Sequence, residues 1–247
     1  MDKCKTKAVP LEAGYQTMCD DDCNKADAKQ YQSLIGALMH LGLTTRPDIL
    51  HSVSKLSQRN KNPHIEHMTA AKHILRYLKA TLDFKLLYRA GGSCIEGFVD
   101  ADWGSDPHDR KSYTGFVFFY GKCAISWESR KQTTIALSST EAEYIAASNA
   151  AKEAVYLQRL LNEIGFSKDQ PIILHIDNQG AQKLATNPVY HNRTKHIDVR
   201  YHHIRELVND KMITLSYCPT DEMTADIFTK NLPGIKHKKF TTNMNIL

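Results

Sequence analysis

Long apolar runs are missing from these 247 residues. None approaches the roughly twenty that a membrane-spanning helix needs, and the opening MDKCKTKAVPLEAG has no apolar core of a signal peptide. An intracellular, cytoplasmic protein is therefore expected, with the nucleus as the other compartment open to it and no membrane among its partners. The six cysteines, Cys4, Cys19, Cys23, Cys94, Cys123 and Cys218, lack the paired spacing of a disulfide scaffold, so reduced thiols are the default. Cys19 and Cys23 bracket Asp20, Asp21 and Asp22, but one CxxxC without a second Cys or His pair is a weak zinc signal. A solvated acidic loop is the better reading. The same triplet lacks the aromatic and apolar strand that would hold the paired aspartates of a polymerase, so no polymerase site is visible.

With 42% hydrophobic and 24% charged residues the chain can bury a sizeable core, as one large or two small domains. A net charge of +5 suits a polyanionic partner but is also common without one. The pattern divides near Arg89, Ala90, Gly91 and Gly92, giving an expected helical unit over 1–90, a larger domain over 91–233 and a basic tail over 234–247. In the first unit Ala28 to Leu43 reads as a helix and Pro47 takes a first helical position. Pro63 opens another helix with Ile65, Met68, Ala71, Leu75 and Leu78 on one face. On that helix Lys72, Arg76 and Lys79 align as a basic stripe, either a phosphate track or a solvated face.

From Cys94 onward, Ile95 to Asp102, Tyr113 to Tyr120 and Lys122 to Trp127 read as an antiparallel meander. Ser139 to Ile164 reads as a long helix that stops at Gly165, and Ile172 to Ile176 as a strand covered on both faces. The expected class is α/β with a mixed sheet: three antiparallel strands, then parallel strands with flanking helices, preceded by the small helical unit. Four acids sit where strands end or helices turn: Asp100 in GFVDADW, Glu143 in SSTEAEYIAA, Asp177 in IILHIDNQG and Asp226 in MTADIFTK. A lone Asp at a strand end is more often a cap or turn residue. Four such acids, each on its own element, are much harder to explain as turns.

The words VDADWGSDPHDRKSYTGFVF, ISWESRKQTTIALSSTEAEYIAA, HIDNQGAQKLA, HNRTKHIDVRYHHIRE and TADIFTKNLP, in this order, resemble the ribonuclease H domain of copia-type retrotransposon Gag-Pol polyproteins. The preceding YQSLIGALMHLGLTTRPDILHSVSKLSQ and HILRYLKATLDFKLLY are similar to the thumb or connection-like segment that follows the reverse transcriptase palm there. The resemblance implies a ribonuclease H-like fold and two-metal hydrolysis of the RNA strand of an RNA:DNA hybrid. Asp100, Glu143, Asp177 and Asp226 would hold two Mg2+ ions, with Mn2+ as a substitute, because hard carboxylate oxygens suit such cations. It also implies the upstream palm and fingers as partners within the parent polyprotein, and a virus-like particle if the element is active. Asp100 is preferred to Asp102, and Glu143 to Glu141, on the same pattern; Asp102, Asp106 and Asp109 then read as turn residues.

Many cellular enzymes of this kind place a histidine shortly before the last aspartate. Here that loop reads Tyr217, Cys218, Pro219, Thr220, Asp221, Glu222, which implies differently assisted turnover. For the nucleic-acid backbone the candidates are Arg110, Lys111 and Ser112 after the first strand, Arg193, Lys195 and His196 in a basic loop before a helix capped by Asp198, and Lys72, Arg76 and Lys79. The histidines of HNRTKHIDVRYHH have no recognised zinc spacing. Two function classes stay open: the hydrolase, and a non-catalytic remnant that only binds nucleic acid or a protein partner. An integrase-like transferase fits less well because the helix-borne Glu143 precedes the Asp177 strand.

Overall fold

Gly121 and Lys122 both take positive φ, 58° and 66°, the backbone a two-residue hairpin turn needs to match the twist of its strands. The turn joins β2 (Tyr113–Tyr120) to β3 (Cys123–Lys131), and β1 (Ile95–Ala101) lies antiparallel along the other side of β2. β3 continues past Trp127 because Ser129 and Arg130 still pair with Gly115 and Thr114. In this computed structural model residues 3–16, 24–89, 94–166, 170–186 and 203–247 are described. They form two compact units, Tyr88–Thr229, and Met1–Leu87 together with Lys230–Leu247.

In the first of these units β4 (Ile172–Ile176) runs parallel to β1, and β5 (Ile213–Tyr217) runs parallel to β4. The sheet order is β3-β2-β1-β4-β5. α4 (Ser139–Glu163) covers β1, β2 and β4, α5 (Gln179–Thr186) packs on β4 and β5, and residues 203–209 form α6. Ser138 caps α4 by accepting from Glu141 N at 3.2 Å, while Leu137 N donates to Glu141 Oε2 at 2.8 Å. This reciprocal pair fixes the start of the helix. Ala142, Ala146, Ala150 and Ala154 are fully or almost fully buried, and side chains this short let α4 lie close against Val99, Phe118 and Leu174. This is the mixed sheet of a ribonuclease H-like fold.

β4 departs from expectation in one respect. Ile172, Leu174 and Ile176 join the core under α4, but Ile173 is 40% exposed. His175 shares the Ile173 face and stacks on Phe98, ring centroids 4.5 Å apart. The apolar run therefore alternates in burial despite its composition.

In the other unit, α1 (Ala28–Thr44) starts at Asp27, whose side chain accepts from Lys29 N and Gln30 N. α2 (Leu50–Ser57) and α3 (Ile65–Ala80) pack with it around Tyr31, Ile35, Val53 and Ile74. The buried face of α3 is His67, Ala70, Ala71, Ile74 and Tyr77, rotated from the expected stripe. Ile65 is exposed, whereas on the buried face the Tyr77 hydroxyl donates to Asp48 Oδ2 at 2.6 Å and His67 Nδ1 accepts from His64 N at 2.9 Å. Arg46 forks onto both oxygens of Asp48, at 2.9 and 2.7 Å, and reaches Thr81 O at 3.0 Å.

The expected basic tail is corrected to a helix. α7 (Gly234–Asn243) buries His237, Phe240 and Thr241, and His237 Nε2 lies 3.1 Å from Asp48 O. Beyond α7, Lys85 N donates to Leu247 O at 2.8 Å, Leu247 N donates to Lys85 O at 3.1 Å, and Leu87 N donates to Asn245 O at 3.0 Å. Lysines on one face mask the apolar positions in the sequence of this segment. The first division, at Leu87/Tyr88, lies close to the expected one near 90, whereas the second falls at Thr229/Lys230 and joins residues 230–247 to the helical unit.

Candidate metal centre

Val99 pairs with Ile176 in the parallel β1/β4 register. Asp100 and Asp177 are the next residues along, so they leave the same end of adjacent strands, the end where ligands collect in parallel sheets. Glu143 lies in the second turn of α4 and faces the sheet; Ala101 N donates to its Oε1 at 3.2 Å. Each of Asp100, Glu143 and Asp177 offers an oxygen, and those three atoms lie within 4.8 Å of one another. Asp100 is 1% and Glu143 6% exposed, while Asp177 is half-buried. Buried like charges at this separation repel, and the set consists only of hard oxygen donors, which fits a cation such as Mg2+.

Each strand-end acid is held by a threonine from the segment after β5. Thr220 Oγ1 donates to Asp177 Oδ2 at 3.0 Å, and Thr229 Oγ1 donates to Asp100 Oδ2. Thr229 Oγ1 also lies 3.3 Å from Asp226 O. The segment is kept in place by Ser129, whose hydroxyl donates to Phe228 O at 2.5 Å. Gln132 anchors the start of α4 from the other side, with Nε2 donating to Thr114 Oγ1 at 3.1 Å and Ala142 O at 3.0 Å. Neither threonine carries a local sequence signal beyond the place of Thr229 inside the TADIFTK word.

Asp226 is 1% exposed but is not a member of the three-acid group. It sits in a 3-10 turn (Thr224–Phe228), and α7 starts only at Gly234. Asp102 does act as a turn residue, accepting from Ser105 Oγ and Tyr113 N. Lys131 Nζ bridges Asp106 at 2.5 Å and Asp109 at 2.9 Å. Burial opposes ionisation of Asp106, but the hydrogen bond from Lys131 outweighs it and holds the carboxyl below the usual range.

Among the nucleic-acid candidates, Arg110 is exposed and Lys111 half-buried. Ser112 is fully buried, with Oγ accepting from Gly104 N at 3.0 Å. Its expected role as a backbone contact is thereby corrected to one of closing the β1–β2 loop. Lys72 is exposed, but Arg76 Nε donates to Lys5 O at 2.5 Å and Lys79 Nζ to Cys4 O at 3.1 Å, so the stripe is largely tied to the chain itself. Arg193, Lys195, His196 and Asp198 lie outside the described residues, as do Cys19 and Cys23.

No family model matches the chain. It is 44% identical over 206 residues to the retrovirus-related Pol polyprotein from transposon TNT 1-94 of Nicotiana tabacum, covering 83% of this chain and 15% of that protein. It is 33% identical over 244 residues to the Pol polyprotein from transposon RE2 of Arabidopsis thaliana, covering 98% of this chain and 17% of that one. The chain thus spans 15% to 17% of the length of these relatives. Among solved structures, the RNase H1 called LC11, isolated from compost by a metagenomic approach, matches with a TM-score of 0.43 and 15% identity, over 56% of this chain and 93% of that one.

Proposed function

The chain belongs to the Pol polyproteins of copia-type retrotransposons as their ribonuclease H domain with a helical unit, and from this we propose that it hydrolyses the RNA strand of RNA:DNA hybrids with divalent metal. The observation that carries the reading is the group of Asp100, Glu143 and Asp177, with oxygens within 4.8 Å of one another at the carboxyl end of two parallel strands. These three would hold Mg2+ or Mn2+, and Asp226 is the fourth ligand we assign from the adjoining turn. When bound, two such ions supply an activated water and offset the charge that builds on the phosphorus oxygens. The chain's own residues orient the acids: Ala101 N on Glu143, Thr220 on Asp177, Thr229 on Asp100. Arg110, Lys111 and Lys72, with Arg193, Lys195 and His196, are the side chains we assign to the hybrid backbone. RNA is told from DNA through its 2′-hydroxyl in the shallow minor groove.

The second reading, a remnant that binds nucleic acid or a protein without cleaving, is favoured by one observation: Asp226 stands outside the three-acid group. A labelled RNA:DNA hybrid, with duplex RNA and duplex DNA as controls, separates the two. Cleavage of the hybrid's RNA strand alone, dependent on Mg2+ or Mn2+, is expected. A folded chain that binds the hybrid but leaves it intact with either metal would establish the remnant.

A further inference from the structure

Thr229 is 2% exposed, and its hydroxyl donates to Asp100 Oδ2 while lying 3.3 Å from Asp226 O. It is therefore the shared contact between the first acid and the turn that carries the fourth. On the other side of the same segment, exposed Thr220 donates to Asp177 Oδ2 at 3.0 Å. Two hydroxyls from one ten-residue stretch thus each fix one acid of the metal group. The stretch is itself fixed, since Ser129 holds Phe228 O and Gly115 leaves it room: a Cβ on Gly115 would lie 2.7 Å from Thr229 Cγ2.

We propose that Thr229 and Thr220 are positioning residues for the metal ligands, Thr229 setting Asp100 against the Asp226 turn and Thr220 setting Asp177. The inference rests on the metal-centre reading of the acids. A carboxylate with one oxygen accepting a hydroxyl hydrogen loses free rotation about its last bond. Mg2+ tolerates little deviation from octahedral geometry, so a ligand already turned towards the site binds it with less reorganisation. Outer hydrogen bonds of this kind change metal affinity by about 10- to 100-fold when removed. Thr229 N also donates to Asp226 O at 3.2 Å, so the Thr229 hydroxyl links Asp100 to the fourth acid's turn, whereas that of Thr220 meets Asp177 alone.

The test uses the full 247-residue chain and the variants Thr229→Val, Thr229→Ser and Thr220→Val. Mg2+ affinity is read by calorimetric titration without nucleic acid, and kcat and KM on a labelled hybrid are read across Mg2+ concentrations. Thr229→Val keeps the volume and loses the donor; it should weaken Mg2+ binding about 10- to 100-fold, raise the Mg2+ needed for half-maximal cleavage and leave KM for the hybrid unchanged. Thr229→Ser should restore both values to within a few-fold of the parent. Should Thr229→Val fail to fold, Thr220→Val alters only an exposed side chain and should show a smaller weakening in the same direction. A parent that binds Mg2+ and cleaves hybrid, beside valine variants of parental Mg2+ affinity, overturns the positioning role alone. A parent that neither binds Mg2+ nor cleaves overturns the metal-centre reading and this inference with it.

Discussion

Gly115 stands opposite Asp100 in the β1/β2 register, and a Cβ on it would lie 2.7 Å from Phe228 Cβ. The absent side chain is what lets the 3-10 turn carrying Asp226 lie against the end of β1. Gly115→Ala should cost about 1–3 kcal/mol through overpacking and push Thr229 away from Asp100. Thermal unfolding and Mg2+ titration check this together: parental values in both would mean that the turn relaxes without resistance.

Asp100→Asn removes a charge from a group of three carboxylates, two of them buried. Hybrid cleavage should fall by about a hundredfold or more, on the scale of deleting one group that stabilises the transition state. In metal-free buffer the same variant should match or exceed the parent in Tm, because a like-charge repulsion is gone. Unchanged cleavage would refute the assignment.

The Arg46 and Asp48 side chains are 9% and 0% exposed. Asp48→Ala strands the guanidinium and removes the acceptor of Tyr77. A loss of about 3–5 kcal/mol is expected in the unit that contains it. Denaturant unfolding followed by a probe in that unit measures it; a loss below about 1 kcal/mol would mean that water replaces the carboxylate.

Burial pushes the His237 pKa below its ordinary 6.5; the Asp48 charge opposes the shift and the Arg46 charge adds to it. Tyr77 packs edge-on to the ring, centroids 5.4 Å apart. The folded pKa lies below the unfolded one, so the unfolded chain takes up the proton first. The stabilisation is complete above about pH 6.5 and is lost as pH falls through the folded value. The Tm of the α7-containing unit should therefore fall as pH drops below about 6.5, and His237→Gln should flatten that slope. A parental slope in the variant would assign the acid sensitivity to other groups.

Arg76 and Lys79 serve the main chain of residues 4 and 5. Replacing both with Ala should lower Tm and leave the salt dependence of hybrid binding unaltered. Lys72→Ala should reduce the log–log slope by about 0.9 if that lysine meets a phosphate. A slope change in the double variant instead would return the stripe to the binding track.

The strands, the long helix and the strand-end acids are legible because each has a local signature: apolar, β-rich runs closed by Asp, and a glycine that stops the helix. The grouping of Asp100, Glu143 and Asp177 came from matching words, since nothing local says that three elements meet. What stayed hidden depends on long-range pairing. The burial of Tyr77 has no local signal, because its hydroxyl is satisfied by Asp48 from another element, and Ser112 reads as a loop contact until Gly104 turns back onto it. Asp226 does sit in a helical turn, a 3-10 one, but apart from the three-acid group. The helix α7 was concealed by its lysines, because only His237, Phe240 and Thr241 of its ten residues are buried.

The pairing of residues 245–247 with 85–87 has a consequence for the order in which the chain acquires structure. The helical unit is discontinuous, and His237 meets Asp48 across 189 positions. During synthesis α1, α2 and α3 precede the sheet-bearing segment, and Asp48 and Tyr77 meet His237 only once α7 has followed it. Closure over so long a loop is slow, whereas the Tyr88–Thr229 unit is one uninterrupted stretch. Pulsed hydrogen exchange during refolding should find β1 and β2 amides protected before those of α3. α7 thus completes the polar contacts of a unit whose helices α1 to α3 precede the sheet, and until it folds Asp48 O lacks its contact with the His237 ring.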